Sequence, residues 1–397
     1  MPDLRWVLTD AAKDIYVPDF RLTHEDLRLG TDQPWSVRKR TLRGGLRDGV
    51  DLIEIDNGKL SFAVIPTRGM GLWRGRYGAT DLGWRSPVAG PVHPMFVNPS
   101  DRGGIGWVAG FDEWIVRCGL DSNGAPGTDV VPDNNGNPST VQVNLHGRIA
   151  NLPASFVQIR IGTAEPHAIS VIGHVEEAML FGPQFRLRTE ITTVPGSNRL
   201  TIRDEVVNLK AVPAEFEMLY HCNYGPPILD GGARVVAPVA EVAPRDARAA
   251  EGADGWAEYP APTAGFVEQC YWADLLAGET GETLAMLRNG AGDRASVLRW
   301  AKRQLPCFTL WKNPGAIEDG YVTGLEPGTN FPNTKKFERA AGRVPKLPPG
   351  GSYTIQLVVD ALEGRPAVAA VEAEIAALQS RSAPVVNARP VAKWSPM

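Results

Sequence analysis

Cysteine is scarce in this chain: Cys118, Cys222, Cys270 and Cys307 are scattered over 397 residues, and no CxxC pair occurs among them. That spacing argues against a zinc finger and against a disulfide framework. Four unpaired thiols fit a reducing compartment, so a cytoplasmic location is expected. No apolar run reaches the ~20 residues that a membrane-spanning helix requires. Met1 to Asp14 holds acidic residues and lacks the apolar stretch of a secretory leader. Charge of one sign is lacking as well: the net charge is −4, with both signs mixed along the whole length. Without a basic patch, neither nucleic acid nor an anionic membrane is expected as a partner. Histidine is rare, six residues in all, which makes the setting of each one informative.

What is present is turn-forming and aromatic. Gly 42, Pro 33 and eleven Trp, without a repeat period, indicate many turns between short strands rather than disorder. From Val50 the chain alternates: Leu52-Ile53-Glu54-Ile55, an Asn57-Gly58 hairpin signal, then Leu60 to Ile65. Ser86 to Asn137 is rich in Gly, Pro, Asn and Asp, a loop-like stretch in which Arg102, Asp112, Glu113 and Arg117 cluster. Long stretches of that kind are usually functional. Alternating strands then follow from Val141 to Tyr220 and, more weakly, from Ala233 to Leu362. No α/β alternation occurs, so the expected fold is all-β, a large antiparallel sandwich of two sheets. Residues 1–47 read as a polar N-terminal extension, with Thr23 and Asp26 placed to cap a short helix. Residues 48–362 form the sandwich domain. Residues 363–397 read as a C-terminal helix, Val368 to Leu378, and a tail.

Three islands concentrate the chemistry: Asn144-Leu145-His146-Gly147-Arg148, Tyr220-His221-Cys222-Asn223, and Gly324-Leu325-Glu326-Pro327-Gly328 with Asn330 and Asn333 just after. Two imidazoles and a carboxylate at strand ends suit acid/base work near neutral pH. Taken singly, each has an ordinary explanation, a strand-end histidine or a turn carboxylate that caps backbone amides. The other histidines, His24, His93, His167 and His174, sit in loops or strand-like runs without such company. Arg68 in Pro-Thr-Arg-Gly, Arg117, Lys312 and Trp311 are further candidates for substrate contact. An aromatic face matches the C–H groups of a sugar ring, so Trp107, Trp114 and Trp311 are the tryptophans of interest.

With Pro66-Thr67-Arg68-Gly69-Met70, Gly110-Phe111-Asp112-Glu113 and Arg117-Cys118-Gly119-Leu120, these islands resemble the aldose 1-epimerase, or galactose mutarotase-like, group, and within it the bacterial DUF4432 branch. The similarity runs from about residue 50 to residue 362. It implies a β supersandwich and a cofactor-independent isomerase that interconverts sugar anomers, with a small sugar as its partner. It also implies roles: His146 holds the sugar ring, His221 is the general acid and Glu326 the general base. Asn223 and Asn330 are further candidates for substrate contact.

The chain departs from the group's pattern in three places. Arg148 follows the His-Gly pair, where the group has a small residue. A guanidinium there suits a carboxylate, sulfonate or phosphate, which points to an acidic or modified sugar. The residues after His221 differ from the usual order, and the group's sugar-binding aspartate has three candidates, Asp230, Asp254 and Asp274. Two other readings stay open. His146, His221 and Glu326 form a familiar ligand set for a divalent metal, which would suit a lyase or isomerase of a keto-sugar or sugar acid. A non-catalytic carbohydrate-binding protein is the other. No cofactor is expected on the leading reading, and the edge of a large sheet offers a surface for a homodimer.

Overall fold

The computed structural model describes residues 2–27, 29 and 33–396, which include every candidate site residue. Two large sheets face each other, one of ten strands and one of thirteen. The smaller is built on long antiparallel strands, Ile169–Ala178, Gln184–Thr193 and Arg199–Asn208. Their alternation is the pattern seen in the sequence: Val171 and Val175, Leu187 and Ile191, and Leu200, Ile202 and Val206 are buried in the layer between the sheets. Each such side chain contributes about 1.5–3 kcal/mol on leaving water.

The N-terminal residues belong to the sheets, contrary to their reading as an extension. Leu4–Asp10 pairs with Phe156–Ile161 in the smaller sheet, and Phe20–Thr23 with Ser36–Thr41 in the larger. Leu8, Leu22, Trp35 and Val37 carry the apolar layer to that end. Lys13, Asp14, Asp19, Arg21, Glu25 and Asp26 between them are exposed, which is why the stretch reads as polar. His24–Leu27 is a short helix, where the Asp26 carboxylate accepts hydrogen bonds from the Thr23 backbone N–H and hydroxyl, both at 2.8 Å.

The first hairpin closes one residue later than expected. Asn57 N–H bonds Leu60 O at 3.0 Å, so Gly58 and Lys59 are its central pair. The Asn57 side chain instead donates to Thr193 Oγ1 at 2.7 Å and ties the two sheets together.

Residues 86–137 carry short helical turns, a strand at Ile115–Leu120 and half of the hairpin formed by Gly127–Pro132 and Pro138–Val143. The C-terminal helix spans Arg365–Gln379 and buries Val368, Val371 and Ile375. After it, Val385–Val386 pairs with Val239–Pro244, and Trp394 packs with Phe331 and Trp272. No helix among the described residues is long and apolar enough to cross a membrane.

Five neighbouring strands of the larger sheet position everything that follows: β1 (Ile115–Leu120), β2 (Glu217–Tyr224), β3 (Gln269–Leu275), β4 (Cys307–Asn313) and β5 (Val322–Gly328). Their spatial order is β3-β4-β5-β2-β1, all antiparallel.

Candidate active site

Side chains alternate between the two faces of a strand, and on these five strands the two faces differ in kind. Tyr220, Cys222 and Tyr224 of β2 and Phe308 and Leu310 of β4 point into the layer between the sheets. The opposite face presents His221 from β2, Glu326 from β5, and Thr309 and Trp311 from β4. Cys222 pairs with Leu325 and Leu219 with Gly328, a register that sets His221 directly opposite Glu326. On the other side of Glu326, Thr309 is its partner.

Together with loop residues these side chains line a cavity of about 620 Å³, within the range usual for small-molecule sites. A larger groove of about 790 Å³ elsewhere, over Arg38, Glu54, Arg76 and Asp81, holds no histidine.

His146 reaches the cavity from a loop whose backbone is fixed on both sides. Leu145 N–H bonds Gly104 O, His146 N–H bonds Gly124 O, and His146 O accepts from Gly119. These bonds hold His146 at φ +58°, a left-handed conformation that costs a non-glycine residue about 1–2 kcal/mol. Such strain is commonly stored at functional sites. Gly147 follows at φ +68°, where a Cβ would lie 2.1 Å from Ser122 O, so glycine after His146 is a steric requirement. His146 Nδ1–H donates to Asn123 O at 2.8 Å, which leaves Nε2 as a bare acceptor. Burial pushes the ring down to about 4, so it stays neutral.

His221 and Glu326 form the polar centre. Asn223 donates from Nδ2 to Glu113 O at 2.9 Å and to His221 O at 3.1 Å. Its Oδ1 must then accept, and it takes the His221 Nδ1–H at 2.5 Å. The tautomer is thereby set: His221 Nε2 carries no proton while the ring is neutral, and it lies 3.1 Å from Glu326 Oε1. No hydrogen bond is formed across that gap, and Glu326 Oε1 has no partner.

Burial pushes the Glu326 carboxyl well above the ordinary carboxylate range, with the Glu268 charge adding to the effect. Burial and the neighbouring His146 hold His221 well below the ordinary imidazole value. Both shifts favour the uncharged forms, so the proton that the pair carries rests on the Glu326 carboxyl rather than on the His221 ring. Gly324 keeps the space above them open, since a Cβ there would come within 2.5 Å of Glu326 Oε1 and 2.9 Å of His221 Cε1.

Aromatic rings close the walls. Trp107 lies 4.6 Å from the His146 ring and 4.7 Å from Phe111, and the His221 ring sits 5.1 Å from Phe111 and 5.3 Å from Trp311, centroid to centroid. At the rim, Trp311 Nε1 donates to Glu268 Oε2 at 2.7 Å, and Arg245 pairs with Glu268 at 3.1 Å and with Asp246 at 2.8 Å. Arg245, the one arginine in the lining among the described residues, is thus already matched by two carboxylates.

The structure brings together His146, His221, Glu326 and Trp311 around one cavity, with Asn223 directly behind His221. Asn330 stands one step further back. It accepts from Asn123, whose carbonyl holds His146, and donates to Glu217.

Four of the candidates for substrate contact lie elsewhere. Arg68 is buried in a bond to Glu113 at 2.6 Å, with further bonds to Val92 O, Gly110 O and Asn151. Arg117 and Lys312 project from the inner face of the sheet, because each sits one residue out of phase with the lining. Arg117 is bonded through two nitrogens to Asp204 between the sheets, and Lys312 donates to Gly255 O and Glu258 O. Arg148 is exposed and outside the cavity. Arg148→Ala should therefore leave sugar affinity unchanged and stability within about 0.5 kcal/mol, as thermal unfolding and a binding titration would show.

None of the three aspartate candidates faces the cavity: Asp230 caps Gly290 N–H, Asp274 pairs with Lys302 at 2.6 Å, and Asp254 lines a separate groove. Glu268 and Arg245 occupy the rim instead, and no sequence motif marks them. Thr309 was equally silent, although its offset from the Glu326 strand was the usable signal. Among the described residues, no three His, Cys, Asp or Glu side chains gather as a metal ligand set, His146, His221 and Glu326 included.

Among curated proteins, none matches this chain. Residues 47–361 match a family described as a domain of unknown function, DUF4432. A crystal structure from Klebsiella pneumoniae, provisionally named an aldose 1-epimerase, is 35% identical, with a TM-score of 0.92 over 98% of this chain and 99% of that one. A galactose mutarotase-like protein from Clostridium acetobutylicum shares the fold at 15% identity and a TM-score of 0.56, covering 82% of this chain and 98% of its own. Galactose 1-epimerase from Lactobacillus acidophilus does so at 12% identity and a TM-score of 0.51, covering 83% of this chain and 99% of its own. The chain belongs to the DUF4432 family and carries the galactose mutarotase-like fold of the aldose 1-epimerases.

Proposed function

We propose that this protein is an aldose 1-epimerase acting on a neutral sugar, with Glu326 and His221 as its proton-transfer pair. The observation that carries the reading is the opposed pair itself: a carboxyl oxygen without a partner, 3.1 Å from an imidazole nitrogen whose tautomer Asn223 sets. Ring opening needs exactly such a pair, one group to take the proton of the C1 hydroxyl and another to protonate the ring oxygen as the C1–O bond breaks. Transfer of the shared proton from Glu326 to His221 Nε2 generates the carboxylate and imidazolium that this step uses. The C1 hydroxyl proton passes to Glu326, the His221 proton passes to the ring oxygen, and a free aldehyde results. Rotation about C1–C2 and reclosure with the roles reversed delivers the other anomer and restores the pair. His146 Nε2 supports the reading as an acceptor for a ring hydroxyl, and the aromatic walls as platforms for C–H faces.

A neutral sugar replaces the acidic one that Arg148 suggested. Arg148 lies outside the cavity, Arg68 and Arg117 are sealed in ion pairs, and Arg245 is matched by Asp246 and Glu268. Among the described residues, no free cation faces the cavity to offset a substrate carboxylate.

The pH profile follows from the shared proton. At low pH the pair gains a second proton, and the lowered His221 value moves that loss to below the ordinary histidine range. At high pH it loses its only proton, and the raised Glu326 value moves that loss well above the carboxylate range. These limits belong to the pair. The expected result is a flat kcat/KM through about pH 6.5, where an ordinary histidine titrates. An inflection there, in saturation-transfer NMR measured against pH, would contradict the coupled pair.

A further inference from the structure

The cavity holds two further unmatched polar groups besides the proton-transfer pair. Thr309 is 1% exposed, lines the cavity from β4, and its hydroxyl has no hydrogen-bond partner. Buried hydroxyls are ordinarily bonded, so an unmatched one aimed into a cavity points to an acceptor or donor on a ligand. Trp107 Nε1 is likewise unmatched, but its ring lies over the two histidines, 4.6 Å from His146 and 6.2 Å from His221. Thr309 lies on the opposite flank. In register across the sheet the order is Trp272, Thr309, Glu326, His221, Val116.

We propose that Thr309 binds the sugar hydroxyl on C2, and that it gives the site a preference for 2-hydroxy over 2-deoxy sugars. The inference rests on Glu326 addressing the anomeric hydroxyl. An anomeric carbon has two ring neighbours, the ring oxygen and C2. His221 stands on one side of Glu326 and serves the ring oxygen, so the group on the other side faces C2. That group is Thr309, and Cβ atoms of such cross-strand partners stand about 4.5–5.5 Å apart, close enough for the two side chains to converge on adjacent oxygens. Beyond Thr309, Trp272 offers no competing donor, because its Nε1 is bonded to Ser395 at 2.9 Å. A threonine hydroxyl can both give and accept, so it tolerates either orientation of the C2 hydroxyl.

The test is a calorimetric titration of the wild-type protein, Thr309→Val and Thr309→Ser with D-galactose and 2-deoxy-D-galactose, and with the corresponding glucose pair. Valine keeps the shape and removes the hydroxyl. The expected result is that wild type prefers the 2-hydroxy sugars, and that Thr309→Val loses about tenfold in affinity for them with none lost for the 2-deoxy forms. Thr309→Ser should restore the preference. Equal affinities in wild type and Thr309→Val, or an equal loss for both members of a pair, would overturn the assignment. Anomerisation of the same sugars, followed in parallel by NMR, separates this outcome from the catalytic reading. Catalysis with no effect of Thr309→Val refutes the Thr309 role alone, whereas binding without catalysis refutes the epimerase. A wild-type protein that binds none of the four sugars refutes both.

Discussion

Glu326→Gln is expected to abolish catalysed anomerisation, with a fall in kcat of about 10²–10⁴, the range that one positioned acid/base group supplies, while the protein stays folded. Glutamine matches the carboxyl group in shape, so β5 keeps its register and Gly324 still clears the side chain. What glutamine cannot do is take up or release the proton, and the single proton shared with His221 then has no second station. Stability should hold, because the neutral amide takes the place of a carboxyl group whose neutral form burial already favours. Saturation-transfer NMR on a single-anomer sugar measures the rate, and far-UV circular dichroism with a melting curve measures the fold. A Glu326→Gln protein with wild-type turnover would remove Glu326 from the chemistry.

The second large effect is on stability, at a residue read at first as a sugar ligand. Arg117→Met is expected to cost about 3–5 kcal/mol, the usual result of leaving one member of a buried ion pair uncompensated. Arg117 links the two sheets: Nε and Nη2 bond Asp204 at 2.5 and 3.0 Å, Nη2 bonds Thr189 at 2.7 Å, and Nη1 bonds Met70 O at 2.9 Å. With the arginine removed, the Asp204 carboxylate retains, among the described residues, the Tyr220 hydroxyl alone, at 2.7 Å. The double variant Arg117→Met/Asp204→Leu should recover part of the loss, since apolar replacement of both partners is often close to neutral. Urea denaturation of the two variants supplies the numbers. At temperatures where Arg117→Met is folded, its turnover should match wild type. A loss of turnover without a loss of stability would return Arg117 to the site.

Arg117 also illustrates how far sequence reasoning carries in a β protein. The three islands pointed to His146, His221 and Glu326 because each pairs a proton-transfer group with residues that no strand requires: a glycine at positive φ, an asparagine two positions on, a Gly-Leu-Glu-Pro-Gly run. The arginines and Lys312 had comparable local settings and went elsewhere. Facing direction depends on strand parity, and a shift of one residue sends a side chain to the opposite face. Trp311 and Lys312 are adjacent, so only one of them can line the cavity. Thr309 has no distinctive neighbours in Phe308-Thr309-Leu310, and it becomes visible only when the register of β4 against β5 puts it beside Glu326. Glu268 and Arg245 meet because Val239–Pro244 pairs with Gln269–Leu275, and that pairing sets the two flanking residues side by side.

The fold was legible for a simpler reason, since alternation over Gln184–Thr193 and Arg199–Asn208 is direct evidence for half-buried strands. The N-terminal strands escaped notice because Arg5, Arg21, Lys39 and Arg40 interrupt a weaker alternation. Lys39 in fact lies within the packed structure, bonded to Val17 O and paired with Asp51 at 2.9 Å.

The most direct test of the account is the interconversion of anomers itself. Freshly dissolved α-D-galactose, with the wild-type protein added and the β-anomer signal followed by NMR, should reach equilibrium far faster than in buffer alone, in proportion to protein concentration. Equilibration at the buffer rate, for galactose and for a panel of other neutral aldoses, would contradict the assignment of His221 and Glu326 as a ring-opening pair.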